Sequence, residues 1–206
     1  MIALTDAFAL CGWALVICAT ALRLQHFLVA RSSLLRGLVL AVFIGLLIPV
    51  FGAGLPLTAF FRGVGGDLST TLLALSVWSL SYRLLDTTGI DQREVTVLMA
   101  VISATALLLY PTALGWGNWD AYRLGWGSWW LLAALIALCG VSAWLGLRVL
   151  PALIALALLA WSLGLMESSN LWDYLLDPWL SVYALVFVFL KCWQFTFRRF
   201  AFRSFR

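Results

Sequence analysis

WLLAALIALCGVSAWLGLRVLPALIALALLAW, Trp130–Trp161, is the stretch whose reading decides the fold. A bilayer core needs about 20 apolar residues per helix. The stretch therefore reads as two membrane helices, about 128–147 and 149–166, divided only by Arg148. Arg148-Val149-Leu150-Pro151 becomes a tight helical hairpin, with Pro151 in the first turn of the second helix, where its missing N–H costs nothing. Merging the two helices into one would move everything downstream to the other side of the membrane.

Working outward, five more apolar stretches appear at about 7–29, 37–55, 68–85, 95–115 and 179–197. The 206 residues are 64% hydrophobic and 11% charged, with a mean hydropathy of +1.03. Soluble domains carry about 25% charged residues, so the composition predicts an integral membrane protein. The fold expected is an all-α bundle of seven transmembrane helices forming one domain over 1–206. Pro49, Gly52, Gly54 and Pro56 predict a break in the second helix within 49–56, with Leu57–Phe61 at the interface or dipping back. Met1-Ile2-Ala3 runs directly into Asp6 with no basic segment, so no cleavable signal peptide is expected.

Charge sets the orientation. With seven spans and the N-terminus outside, the inner loops and tail hold Arg23, Arg31, Arg36, Arg83, Arg93, Arg148, Lys191, Arg198, Arg199, Arg203 and Arg206. Only Arg62 and Arg123 remain outside, which satisfies the positive-inside rule. Six of the nine acids fall outside: Asp6, Asp67, Asp120, Glu167, Asp173 and Asp177. A six-span arrangement would swap the acidic stretch and the basic tail, and is rejected on that ground. The expected location is a bacterial-type inner membrane, with the C-terminus cytoplasmic.

Three polar stretches then share the outer face. The first is Arg62–Thr71, where Asp67 reads as the N-cap of the third span. The second is Gly117–Arg123, which offers Asp120, Tyr122 and Arg123, flanked by the repeated Leu-Gly-Trp-Gly turns at 114–117 and 124–127. The third is Met166–Trp179, MESSNLWDYLLDPW. Drawn as a helix, it places Glu167, Asn170, Asp173, Tyr174 and Asp177 within an arc of roughly 120°, opposite Leu171, Trp172, Leu175 and Leu176. That pattern predicts a short interfacial amphipathic helix, stopped by Asp177-Pro178, that is either a solvated loop or one wall of a polar site. If it is a site, one of its acids should meet Arg62, Tyr122 or Arg123 from another loop, since a partly buried, unpaired carboxylate is costly.

The candidate polar site is thus Asp67, Asp120, Tyr122, Arg123, Glu167, Asn170, Asp173 and Asp177. Carboxylates beside aromatic faces suit a glycan or a lipid headgroup. No catalytic residue, metal site or cofactor is assigned. The only histidine, His26, sits near the inner end of the first stretch, and Cys11, Cys18, Cys139 and Cys192 lie inside apolar segments without a CxxC pair. The helix centres carry Ser76, Ser103, Thr105 and Ser142 but no ionisable groups, which weakens a transport reading. Ser142 with Gly146, and Ala160 with Gly164, read as close helix packing. The expectation is an accessory or assembly subunit of an envelope-biogenesis system. Its partners would be membrane lipid and either a larger membrane protein or a second copy of itself, not nucleic acid. The alternatives are a membrane-embedded transferase or hydrolase using the outer carboxylates, and a small transporter or ion channel.

Overall fold

A computed structural model describes residues 4–24, 33–49, 54–85 and 87–203, with side chains of the last helix described through Thr196. His26 and the side chains of the basic tail lie outside the described residues. The protein is all-α. Its helices are α1 (Leu4–Leu24), α2 (Ser33–Leu47), α3 (Leu57–Gly65), α4 (Thr70–Leu84), α5 (Gln92–Ala113), α6 (Trp129–Trp144), α7 (Val149–Ser162), α8 (Leu171–Leu175) and α9 (Pro178–Arg203). A 3-10 turn, Ala121–Gly125, lies between α5 and α6.

Among the described residues, three helices are long and apolar enough to cross a membrane: α1, α5 and Pro178–Thr196 of α9. The others that fall on expected spans are shorter. At about 1.5 Å per residue, the 15 residues of α2 and of α4, the 16 of α6 and the 14 of α7 extend about 21–24 Å.

Capping side chains set the starts of these helices. Ser69 Oγ accepts from Leu72 N at 3.2 Å and so caps α4, a role the sequence suggested for Asp67. Asp91 caps α5, Ser128 caps α6, and Asp177 Oδ1 accepts from Leu180 N at the start of α9. Asp177-Pro178 is therefore a helix start rather than a stop, with Pro178 in the first helical position. A turn at 145–148 separates α6 from α7, and Glu94 Oε2 accepts from both Arg148 N and Val149 N at 2.9 and 2.7 Å.

Glycines set several of the ends. Gly146 has φ +73°, with Leu147 N bonded to Ser142 O and Gly146 N to Ala143 O. Gly164, at φ +61°, ends α7 with the same pair of bonds. This is the Schellman arrangement, in which a left-handed residue satisfies the last carbonyls. A Cβ at either glycine would meet nothing within 4 Å, so these two terminate helices and do not allow close packing.

The chain divides into two compact units: Met1–Gly89 with Ala152–Leu175, and Ile90–Pro151 with Leu176–Arg206. In the first, α1 packs on α2, α3 and α4, and α8 packs on α4. Regular helix stops at Leu47 and resumes at Leu57, with Pro49 and Pro56 facing each other across the break. This is the interruption the prolines predict, although residues 50–53 lie outside the described ones. In the second unit, α5 packs against α9, joined by Ser181 Oγ to Tyr110 Oη at 3.3 Å and by Lys191 Nζ to Thr96 Oγ1 at 2.7 Å.

Candidate functional site

The polar centre of the first unit is Arg62, on the inner face of α3. Thr58, one turn earlier on the same face, is fully buried, whereas Phe60 and Val64 are exposed. Each of three guanidinium nitrogens takes a different carboxylate. Nε donates to Asp67 at 2.7 Å, Nη1 to Asp6 at 2.6 Å, and Nη2 to Glu167 at 2.7 Å. Asp6 comes from the first turn of α1, Asp67 from the loop before α4, and Glu167 from the loop after α7. Trp13 reinforces the junction: its Nε1 donates to Gly66 O at 2.9 Å and its ring stacks on Phe61 at 5.8 Å.

The Arg62–Asp67 pair is the sheltered one, at 19% and 17% side-chain exposure, while Asp6 and Glu167 stand at 40% and 64%. The hydrogen bond that Arg62 donates to Asp67 is the largest influence holding the Arg62 pKa above its ordinary value. Partial burial opposes it, and the bonds to Asp6 and Glu167 add to it. A folded-state value above the unfolded one means the contribution is complete below the unfolded pKa and lost only as pH rises through the folded one. Both values lie beyond the working range, so Arg62 is charged throughout. One guanidinium against three carboxylates leaves the cluster two charges negative.

The 166–175 loop is a packed structure. Tyr174 is fully buried among Ala157, Ala160 and Met166; its hydroxyl accepts from Met166 N at 3.1 Å and donates to Ser168 O at 3.0 Å. Ser168 Oγ donates to Asp173 Oδ2 and accepts from Asn170 N, while Asn170 Oδ1 accepts from Trp172 N at 2.9 Å. Trp161 Nε1 donates to Ser169 O at 2.8 Å. Helix is confined to Leu171–Leu175, so the expected amphipathic face does not form. Asn170 and Tyr174, expected on the wet side, are buried. The non-helical 166–170 backbone is instead bonded to the Tyr174 hydroxyl and to the Ser168–Asp173 pair, while Tyr174 packs on Ala157 and Ala160 of α7.

The expected site residues are therefore distributed. Asp67 and Glu167 meet on Arg62, so an acid of the third stretch does reach a cation from another loop. Asn170 and Asp173 lie in the same unit but serve the loop itself. Asp120, Tyr122, Arg123 and Asp177 belong to the second unit. There Asp120 Oδ1 accepts from Tyr122 N at 2.9 Å to start the 3-10 turn, and Asp177 caps α9. Neither Arg62 nor Asp6 is in the set chosen from sequence. The signal for them was available: Arg62 is one of only two cations assigned to the acidic side. Among the described residues, no three His, Cys, Asp or Glu side chains are grouped to hold a metal ion.

Compared with protein-family models, curated proteins and solved structures, the chain matches none of them.

Proposed function

We propose that the chain is a seven-span, bacterial-type inner-membrane protein, with Met1 outside and Arg206 in the cytoplasm. It serves as an accessory or assembly subunit of an envelope-biogenesis system, with a larger membrane protein or a second copy of itself as partner. Its acidic, aromatic outer face meets a glycan or a lipid headgroup. The four shorter helices count as spans on the sidedness of their charges.

One observation carries the subunit reading over a catalytic one: six of the outer polar side chains, Asp67, Asp120, Glu167, Asn170, Asp173 and Asp177, hold backbone, Ser168 or Arg62. Asp67 and Glu167 bind Arg62, while Asp120, Asn170 and Asp177 accept from backbone N–H groups. General acid–base work needs a carboxylate positioned for substrate, and these are positioned for structure. The test is purification from native membranes in mild detergent, with mass spectrometry of what remains bound after size exclusion. The expected result is a membrane-protein partner in fixed stoichiometry, or a homo-oligomer, retained by Glu167→Gln and Asp173→Asn. A lone monomer whose biological activity is lost in those variants at normal folded yield would favour the enzyme instead.

A further inference from the structure

The second unit carries interfacial markers at one repeated spacing. On α6, Trp130 and Trp144 are 80% and 86% exposed and lie fourteen residues apart. On α9, Trp179 and Trp193 are about half exposed and also lie fourteen apart. On α5, Thr96 and Tyr110 make the polar cross-links to α9, again fourteen apart. Fourteen residues of α-helix rise about 21 Å.

Each marker has a physical reason to avoid hydrocarbon. Exposed tryptophan settles at the headgroup level, and an ammonium must stay in the polar zone. Lys191 Nζ donates a hydrogen bond to Thr96 Oγ1 and lies 5.4 Å from the Phe187 ring centre, two residues before Trp193. At the same end Glu94 receives the backbone of Arg148 and Val149, just beyond Trp144. At the opposite end Asp177 and Ser181 adjoin Trp179. Away from Ser181, Tyr183 and Lys191 near the ends of the α9 interval, the exposed side chains between are apolar, among them Ile136 and Val141 on α6 and Val182, Val186 and Phe189 on α9.

From this spacing we infer that the lipid partner of the protein is a thin hydrocarbon slab, about 21–24 Å deep where a standard core is about 30 Å. Tilt cannot restore the difference, because it shortens the reach of a helix along the bilayer normal. The inference rests on the membrane-spanning reading and adds the chemistry of the lipid: short acyl chains, or a bilayer compressed around the protein.

The experiment uses the intrinsic tryptophans of the full chain. The protein is reconstituted in phosphatidylcholine vesicles with monounsaturated chains from fourteen to twenty-two carbons, each competing with a brominated eighteen-carbon lipid that quenches tryptophan. Relative lipid affinity should peak at fourteen to sixteen carbons and fall at least about twofold by twenty-two, as a mismatch cost accumulating per ångström requires. A peak at eighteen carbons or beyond, or a flat profile with quenching throughout, overturns the thin-slab inference and leaves the spanning reading standing. Absence of quenching at every length, with the chain released by alkaline carbonate, overturns both.

Discussion

Replacing Arg62 with glutamine should be the most damaging single change in the first unit. The substitution keeps a polar side chain but removes the charge shared by Asp6, Asp67 and Glu167. The sheltered bond to Asp67 is charge-assisted on both sides and contributes about 1.5–3 kcal/mol. Asp6 and Glu167 are more than a third exposed, so solvent screening reduces each to about 0.2–1 kcal/mol. The expected loss is therefore about 2–5 kcal/mol, with unrelieved repulsion among the three acids adding to it. For a chain of this size that lowers the melting midpoint by roughly 4–20 °C. Circular dichroism in mild detergent would follow α-helix loss for Arg62→Gln, Asp67→Asn, Asp6→Asn and Glu167→Gln. The order predicted is Arg62 worst, Asp67 second, and the two exposed acids mildest. Wild-type melting in Arg62→Gln, or Glu167→Gln falling below Asp67→Asn, would refute the burial argument behind that ranking.

Four other outcomes follow from features already described. Reporters active only outside the cell should be active after Asp67, Asp120 and Asp173 and silent after Arg36, Asp91 and Arg206; export after Arg206 removes the seven-span orientation. Gly146→Ala forces a side chain into the left-handed region and should cost about 1 kcal/mol, whereas Gly140→Ala, mid-helix in open space, should gain up to about 1 kcal/mol, both read as melting shifts. Glu94→Ala uncaps α7 and should cost about 0.5–2 kcal/mol, whereas Asp173→Asn keeps an acceptor for Ser168 and should stay near wild type. Tyr174→Phe leaves Met166 N and Ser168 O without their buried partner and should cost about 1–3 kcal/mol, visible as faster proteolysis of the 166–170 loop.

What the sequence disclosed, and what it withheld, divides by range. Apolar runs and prolines are local signals, and they located the helices, the interruption between Pro49 and Pro56, and the turn at Arg148. Capping register was already less legible. Asp67, Ser69 and Thr70 are all competent caps, and the choice fell to Ser69 because Arg62 engages Asp67. The 166–175 loop was misread because helical periodicity in ten residues is weaker than one buried tyrosine hydroxyl. Gly146 and Gly164 occupy small-residue spacings that suit helix packing, yet their positive φ reveals helix termination, which spacing alone does not encode. Pairing between positions 62 and 167 has no local signature at all.

That last pairing imposes an order on biogenesis. Asp6 and Asp67 leave the ribosome with or before Arg62's own neighbourhood, so two of its bonds can close while synthesis continues. Glu167 follows 105 residues later, a delay of roughly 5–20 s at ordinary elongation rates. Throughout that interval Arg62 lacks its third carboxylate, and under the proposed topology the later loop crosses the membrane to supply it. Closure of the third bond thus coincides with delivery of the 166–175 loop. A ribosome-stalled series of chains should show protease resistance of the α1–α4 segment rising in two steps, the second only after Glu167 has left the ribosome.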